Sequence, residues 1–99
     1  MVTHIVMFAF EDKNRDENIA KAKEMLEGLM GQVPSLVSME VGVNFSTEGR
    51  AMDLSIITTF EDRVGLEAYA IDPAHLKVVE FIKSVVSSSK VVDYERKTV

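Results

Sequence analysis

The chain holds two histidines, His4 and His75, and each stands where an imidazole could handle a proton. His75 follows Asp72-Pro73-Ala74. Aspartate suits a helix N-cap, and proline suits the first helical turn, where its missing N–H costs nothing. The spacing therefore puts His75 in the first turn of a helix. The partial positive charge there disfavours imidazolium, and desolvation in an apolar cleft would act the same way. The Asp72 carboxylate would oppose them. If the first two effects prevail, His75 is neutral near pH 7 and can accept a proton, as a general base must. The competing reading is that His75 only caps or packs at a helix end.

His4 and Asp93 form a second candidate pair. His4 stands near the start of an apolar segment and Asp93 within the closing one, "VVDYERK". Paired antiparallel, the two side chains would meet, and a carboxylate accepting from one imidazole nitrogen would free the other as an acceptor. Such a pair could orient or polarise His75. It could equally be structural, since a buried polar group needs a partner. Tyr69, six residues before His75, offers a hydroxyl for a carbonyl or enolate oxygen, unless it is a core residue with its OH at the surface. Phe8, Phe10, Leu26, Met30, Leu54, Ile56, Leu76 and Val79 are expected to line an apolar cleft or fill the core beside it.

Other chemistries find less support. There is no cysteine, which excludes thiolate catalysis, disulfides and cysteine metal sites. Two histidines without a helical i, i+4 pair do not make a transition-metal site, so no metal and no cofactor is expected. The glycines show no phosphate-cradling spacing, and no serine sits on a nucleophile elbow.

The elements that must position these groups follow from hydrophobic period. "HIVMFAF", His4–Phe10, is apolar on both alternating faces, as in a central strand covered on both sides. Ile19, Ala22, Leu26, Leu29 and Val33 recur every three or four residues and predict a helix over 16–32, stopped by Gly31 and Pro34. "SLVSMEVGVNF" alternates with one polar side, a strand near a sheet edge. "MDLSIITTF" follows the loop "STEGRA" as its hairpin partner, with Leu54, Ile56 and Phe60 on one face. Asp62 caps a short helix carrying Leu66 and Tyr69. Asp72-Pro73 starts the next, with Leu76, Val79, Ile82 and Val86 as its buried stripe. "SSSK" reads as a polar break before the last strand. The order β-α-β-β-α-β, with the second helix broken, is the ferredoxin-like α+β plan. It is expected to form one domain over residues 1–99: a four-stranded antiparallel sheet, order 4-1-3-2, with helices on one face. Ile5, Met7 and Ala9 then need a second cover, and a homodimer with sheets packed face to face supplies it.

Composition narrows the partners. Eleven basic residues are scattered among 16 acidic ones, net charge −5, which argues against phosphate backbones and anionic membrane surfaces. No apolar run is long enough to span a bilayer, and the first ten residues lack a basic leader region, so the expected compartment is the cytoplasm.

"HIVMFAF", "FEDRVGLEAYAIDPAHLKVV" and "VVDYE", in that order, resemble the stress-responsive A/B barrel (Dabb) domain over nearly the whole chain. The resemblance implies a dimeric α+β barrel with a cleft between helices and sheet in each subunit. Most members of that family have no assigned activity. A plant branch catalyses aldol-type cyclisation of polyketide chains, and this chain is similar to it at His4, Tyr69, His75 and Asp93. In that branch the position of His75 holds the proposed base. The chain departs from it at Leu54 and at about Leu26, where the plant enzymes carry a histidine and a tyrosine. It also has no tryptophan, unlike some cofactor-free monooxygenases of similar fold. Three readings compete. One is a cofactor-free enzyme acting on a small apolar carbonyl compound through His75, cyclase-, lyase- or isomerase-like. The second is a ligand-binding or stress-response dimer without turnover. The third is a structural dimer whose interior is filled.

Overall fold

A computed structural model describes residues 1–97 of the chain; the expected domain limit at residue 99 lies outside the described residues. The elements run β1 (Val2–Phe10), α1 (Arg15–Glu27), β2 (Ser38–Val43), β3 (Leu54–Phe60), α2 (Arg63–Ile71), α3 (Pro73–Val85) and β4 (Val86–Glu95). The four strands form one antiparallel sheet in the order β2-β3-β1-β4. This is the ferredoxin-like α+β architecture read from the hydrophobic periods, with β1 central and β2 at an edge.

Alternation along each strand sorts side chains between the two faces. Val2 and Phe10 of β1 and Leu54, Ile56 and Phe60 of β3 are buried in one core with Ile19, Ala22 and Leu26 of α1 and Val78 and Ile82 of α3. Thr58 shares the inner side of β3 and is buried too; its hydroxyl donates to the His4 carbonyl at 3.3 Å. Among the described residues the other face carries no helix. Across it, Ile57, Ile5 and Val92 stand in one row over three adjacent strands, with Met7 beside them.

Three local expectations are corrected. The first helix ends at Glu27 rather than near residue 32. From Gly28 onward the chain tightens: Leu29 N–H donates to Leu26 at 3.0 Å, and Gly31 takes φ +85°. Non-glycine residues rarely adopt that conformation, so the helix cannot propagate through it. Leu29 and Val33 are still buried, now from turns. The α3 stripe is shifted in phase: Val78 is buried and Leu76 is half exposed. His75, Val78 and Ile82 share the inward line, and Leu76, one step of about 100° further round, turns to solvent. "SSSK" is not a break but part of β4, with Ser88, Ser89 and Lys90 opposite Ala9, Phe8 and Met7. Ladder bonds are made by main chain, so the short polar side chains do not interrupt them.

Asp62 and Asp72 both cap as expected, accepting from the N–H of Gly65 and of Ala74 at 2.8 Å each. Asp72 does more, because it ends α2 and begins α3 in a single extended residue (φ −64°, ψ 133°). A residue before proline is pushed away from helical ψ, which fixes the break at that point. Asp72→Ala should lose the cap and cost about 1 kcal/mol. A shift of the urea midpoint at unchanged slope measures this; an unshifted midpoint would mean that Pro73 alone holds the junction.

Candidate active site

β1, β3 and β4 form the floor of a cavity of about 150 Å3, α2 and α3 its roof, and Leu26 of α1 one side. Its apolar walls include Val6, Phe8, Ile56, Val78, Val79 and Ile82. Of the residues expected to border a cleft, Phe8, Leu26, Ile56 and Val79 do so. Phe10 and Leu54 are packed in the core away from it, and Met30 and Leu76 are exposed at the surface. Met30 leaves the interior because the helix that would have carried it inward has already ended.

His4, Tyr69 and His75 all line one end of this cavity. Tyr69 is held deepest. Its ring packs against Phe60 at 5.1 Å between centroids and against the His75 ring at 4.1 Å, tilted by 38°. The edge of His4 meets it from the sheet side, at 6.4 Å. The register sets His4 directly opposite Asp93, and His4 Nδ1 hydrogen-bonds Asp93 Oδ1. The structure thus brings together His4 with Asp93, and Tyr69 with His75. Among the described residues it gives no hydrogen bond between His4 and His75; the Tyr69 ring contacts both.

The tautomer of His75 follows from its one hydrogen-bond partner. Its Nδ1 lies 3.3 Å from the carbonyl oxygen of Ala70, the penultimate residue of α2. A carbonyl only accepts, so a neutral imidazole here carries its proton on Nδ1 and leaves Nε2 with the lone pair. Burial lowers the pKa of His75 below the ordinary histidine value of 6.5. The Ala70 carbonyl and, more weakly, Asp72 oppose that shift, while His4 adds to it. Burial pushes the Tyr69 phenol up to about 12, so it stays protonated and can donate. One end of an apolar hollow therefore presents a neutral acceptor nitrogen beside a protonated hydroxyl group. That pairing suits removal of a proton from carbon next to a carbonyl.

Several contributors lie outside the expected cleft lining: Val6, Val78, Lys83 and Ser89 of the wall, Ile82 and Val86, expected only as part of a buried stripe, and the Ala70 carbonyl. Val79 and Lys83 follow His75 at i+4 and i+8, a spacing visible in the sequence. The Ala70 carbonyl is a main-chain group whose availability depends on the helix break, and no side-chain motif marks it.

The model of the "Stress responsive A/B Barrel Domain" family matches residues 2–96. No curated protein matches the chain. A dimeric protein of unknown function and ferredoxin-like fold from Bacteroides fragilis is 25% identical, with 96% of this chain and 95% of that one covered and a TM-score of 0.88. A dimeric ferredoxin-like protein of unknown function from Jannaschia is 27% identical over 96% and 98% of the two chains, with a TM-score of 0.81. A hydroxynitrile lyase from Passiflora edulis shares the fold at 14% identity, with 99% and 95% covered and a TM-score of 0.85. With the family model spanning all seven elements, the chain belongs to the stress-responsive A/B barrel domain family.

Proposed function

We propose that this chain is a cofactor-free enzyme, working as a homodimer, that abstracts a proton from carbon beside the carbonyl of a small apolar compound. The observation that supports it most is His75 in the wall of an apolar cavity, with Nδ1 on the Ala70 carbonyl and Nε2 free of any protein partner among the described residues. In the step, the C–H bond breaks, its proton passes to Nε2, and the electron pair moves onto the carbonyl oxygen as an enolate. The Tyr69 hydroxyl donates to that oxygen where charge develops. His4, fixed by Asp93, positions the Tyr69 ring. Returning the proton to carbon gives isomerisation or exchange; attack on a second carbonyl gives aldol closure, and its reverse gives cleavage. A dimer that binds the same ligands without turnover would share the cavity but not the exchange.

The dimer rests on the helix-free sheet face. Met7, Val92 and Tyr94 are each well exposed there, a patch that a second copy would bury. The similar proteins from Bacteroides fragilis and Jannaschia are described as dimeric.

Three outcomes are expected. After a thermal-shift screen of small ketones, bound hits should exchange their α-protons with deuterated water by NMR, and His75→Ala should slow this at least about 100-fold. Exchange unchanged in that variant would dismiss His75 as the base. Stability should also carry the mark of the depressed His75 pKa. Above pH 6.5 the imidazole is neutral in both states and contributes nothing. Below it the unfolded chain takes up the proton first, so stability falls with pH until the folded protein protonates as well. Denaturation midpoints at pH 7.5 and 5.5 should therefore drop more for wild type than for His75→Gln; an equal drop would contradict the shift. Finally, the protein should sediment as a dimer and Met7→Asp as a monomer, because an unpaired carboxylate cannot be buried in that face without a cost of several kcal/mol. A monomeric wild type would remove the dimer.

A further inference from the structure

The cavity has a second polar end. On α3, Lys83 follows His75 by eight residues, about 12 Å along a helix rising 1.5 Å per residue. On the sheet, Ser89 lies opposite Phe8 while Asp93 lies opposite His4. Four residues of strand separate these pairs, about 13 Å. Roof and floor therefore each carry a polar group at both ends, with the same spacing, and apolar residues such as Val6, Val79 and Ile82 between. β4 begins directly after α3, which places Lys83 at the Ser89 end.

In a chain of net charge −5, no carboxylate lines this cavity among the described residues, and Lys83 is the one lysine or arginine in its wall there. Lys83 also forms no ion pair among the described residues. A cation in the last turn of α3 complements the helix C-terminus. That accounts for a lysine in this turn, but not for its place on the cavity wall. We propose that Lys83, with the Ser89 hydroxyl beside it, is an anion subsite that selects carbonyl compounds bearing a carboxylate at the end remote from the reacting carbon. The proposal rests on the reading that places proton abstraction at the His75 end. It narrows the substrate class from an apolar ketone to a monoanionic oxo acid, its chain lying along the aliphatic walls. One ammonium matches one carboxylate, and because position 83 is exposed the charge-assisted bond between them is open to screening by salt.

The test compares 7-oxooctanoate, whose carbonyl and carboxylate are separated by five methylenes, with octan-2-one, which lacks the acid. Calorimetric titration in low-salt buffer should show the oxo acid binding wild type about tenfold more tightly, the scale of one charge-assisted contact. The preference should shrink with added salt, vanish in Lys83→Met and persist in Lys83→Arg. Position 83 is exposed, so methionine keeps the aliphatic stem without disturbing the core. Equal affinities in wild type, a preference that survives Lys83→Met, or no binding of either compound would each overturn the subsite. Deuterium exchange next to the ketone, followed in the same samples, reports separately on His75. Preference without exchange sustains the subsite and removes the base; exchange without preference removes the subsite alone.

Discussion

Between Ile71 and Pro73 the chain has a single residue in which to end one helix and start another, and the site depends on how Asp72 does this. Pro73 forces the residue before it out of the helical region, and the Asp72 carboxylate then caps the new helix through the Ala74 N–H. The break leaves the Ala70 carbonyl near the end of α2 without a full turn of helix after it, within reach of His75 Nδ1. It also sets the phase of α3, so that His75 leads the same inward line as Val78 and Ile82. An unbroken helix through this region would satisfy the Ala70 carbonyl within its own ladder and leave the imidazole without the partner that fixes its proton.

Tyr69 links this junction to the sheet. It sits on α2 just before the break, rests on Phe60, and has a histidine ring on either side. The His4 side is anchored by Asp93 on β4, the strand at the sheet edge next to β1. Arg63 pairs with Glu95 near the end of the same strand, and the Arg96 N–H reaches the Met1 carbonyl at 2.8 Å. Of these contacts, the His4–Asp93 pair ties the last strand to the side of the site where the Tyr69 ring sits. The His4–Asp93 pair joins the first and last strands as well as serving the positioning role proposed for it.

Much of this arrangement was legible in the residues. Strand alternation and the caps at Asp62 and Asp72 gave the element order, and antiparallel pairing of the first and last strands brought His4 opposite Asp93. What stayed hidden depended on phase and on main chain. The apolar spacing puts the inward line of α3 through Leu76, whereas the observed line begins at His75 and passes through Val78. The apolar stripe of α1 continues through Leu29 and Val33 even though the backbone has left the helix at Glu27. The serines of β4 looked like a break because side-chain character says little about a strand whose bonds are all main chain. The Ala70 carbonyl, which decides the tautomer of His75, has no side-chain signature at all.

The claim on which the rest stands is that His75 is neutral at pH 7 with its proton on Nδ1. Long-range 1H–15N correlation of the imidazole ring reads this directly. The account predicts a protonated Nδ1, an unprotonated Nε2, and titration below the ordinary histidine value of 6.5. A ring protonated on Nε2, or one still charged at pH 7, would contradict it.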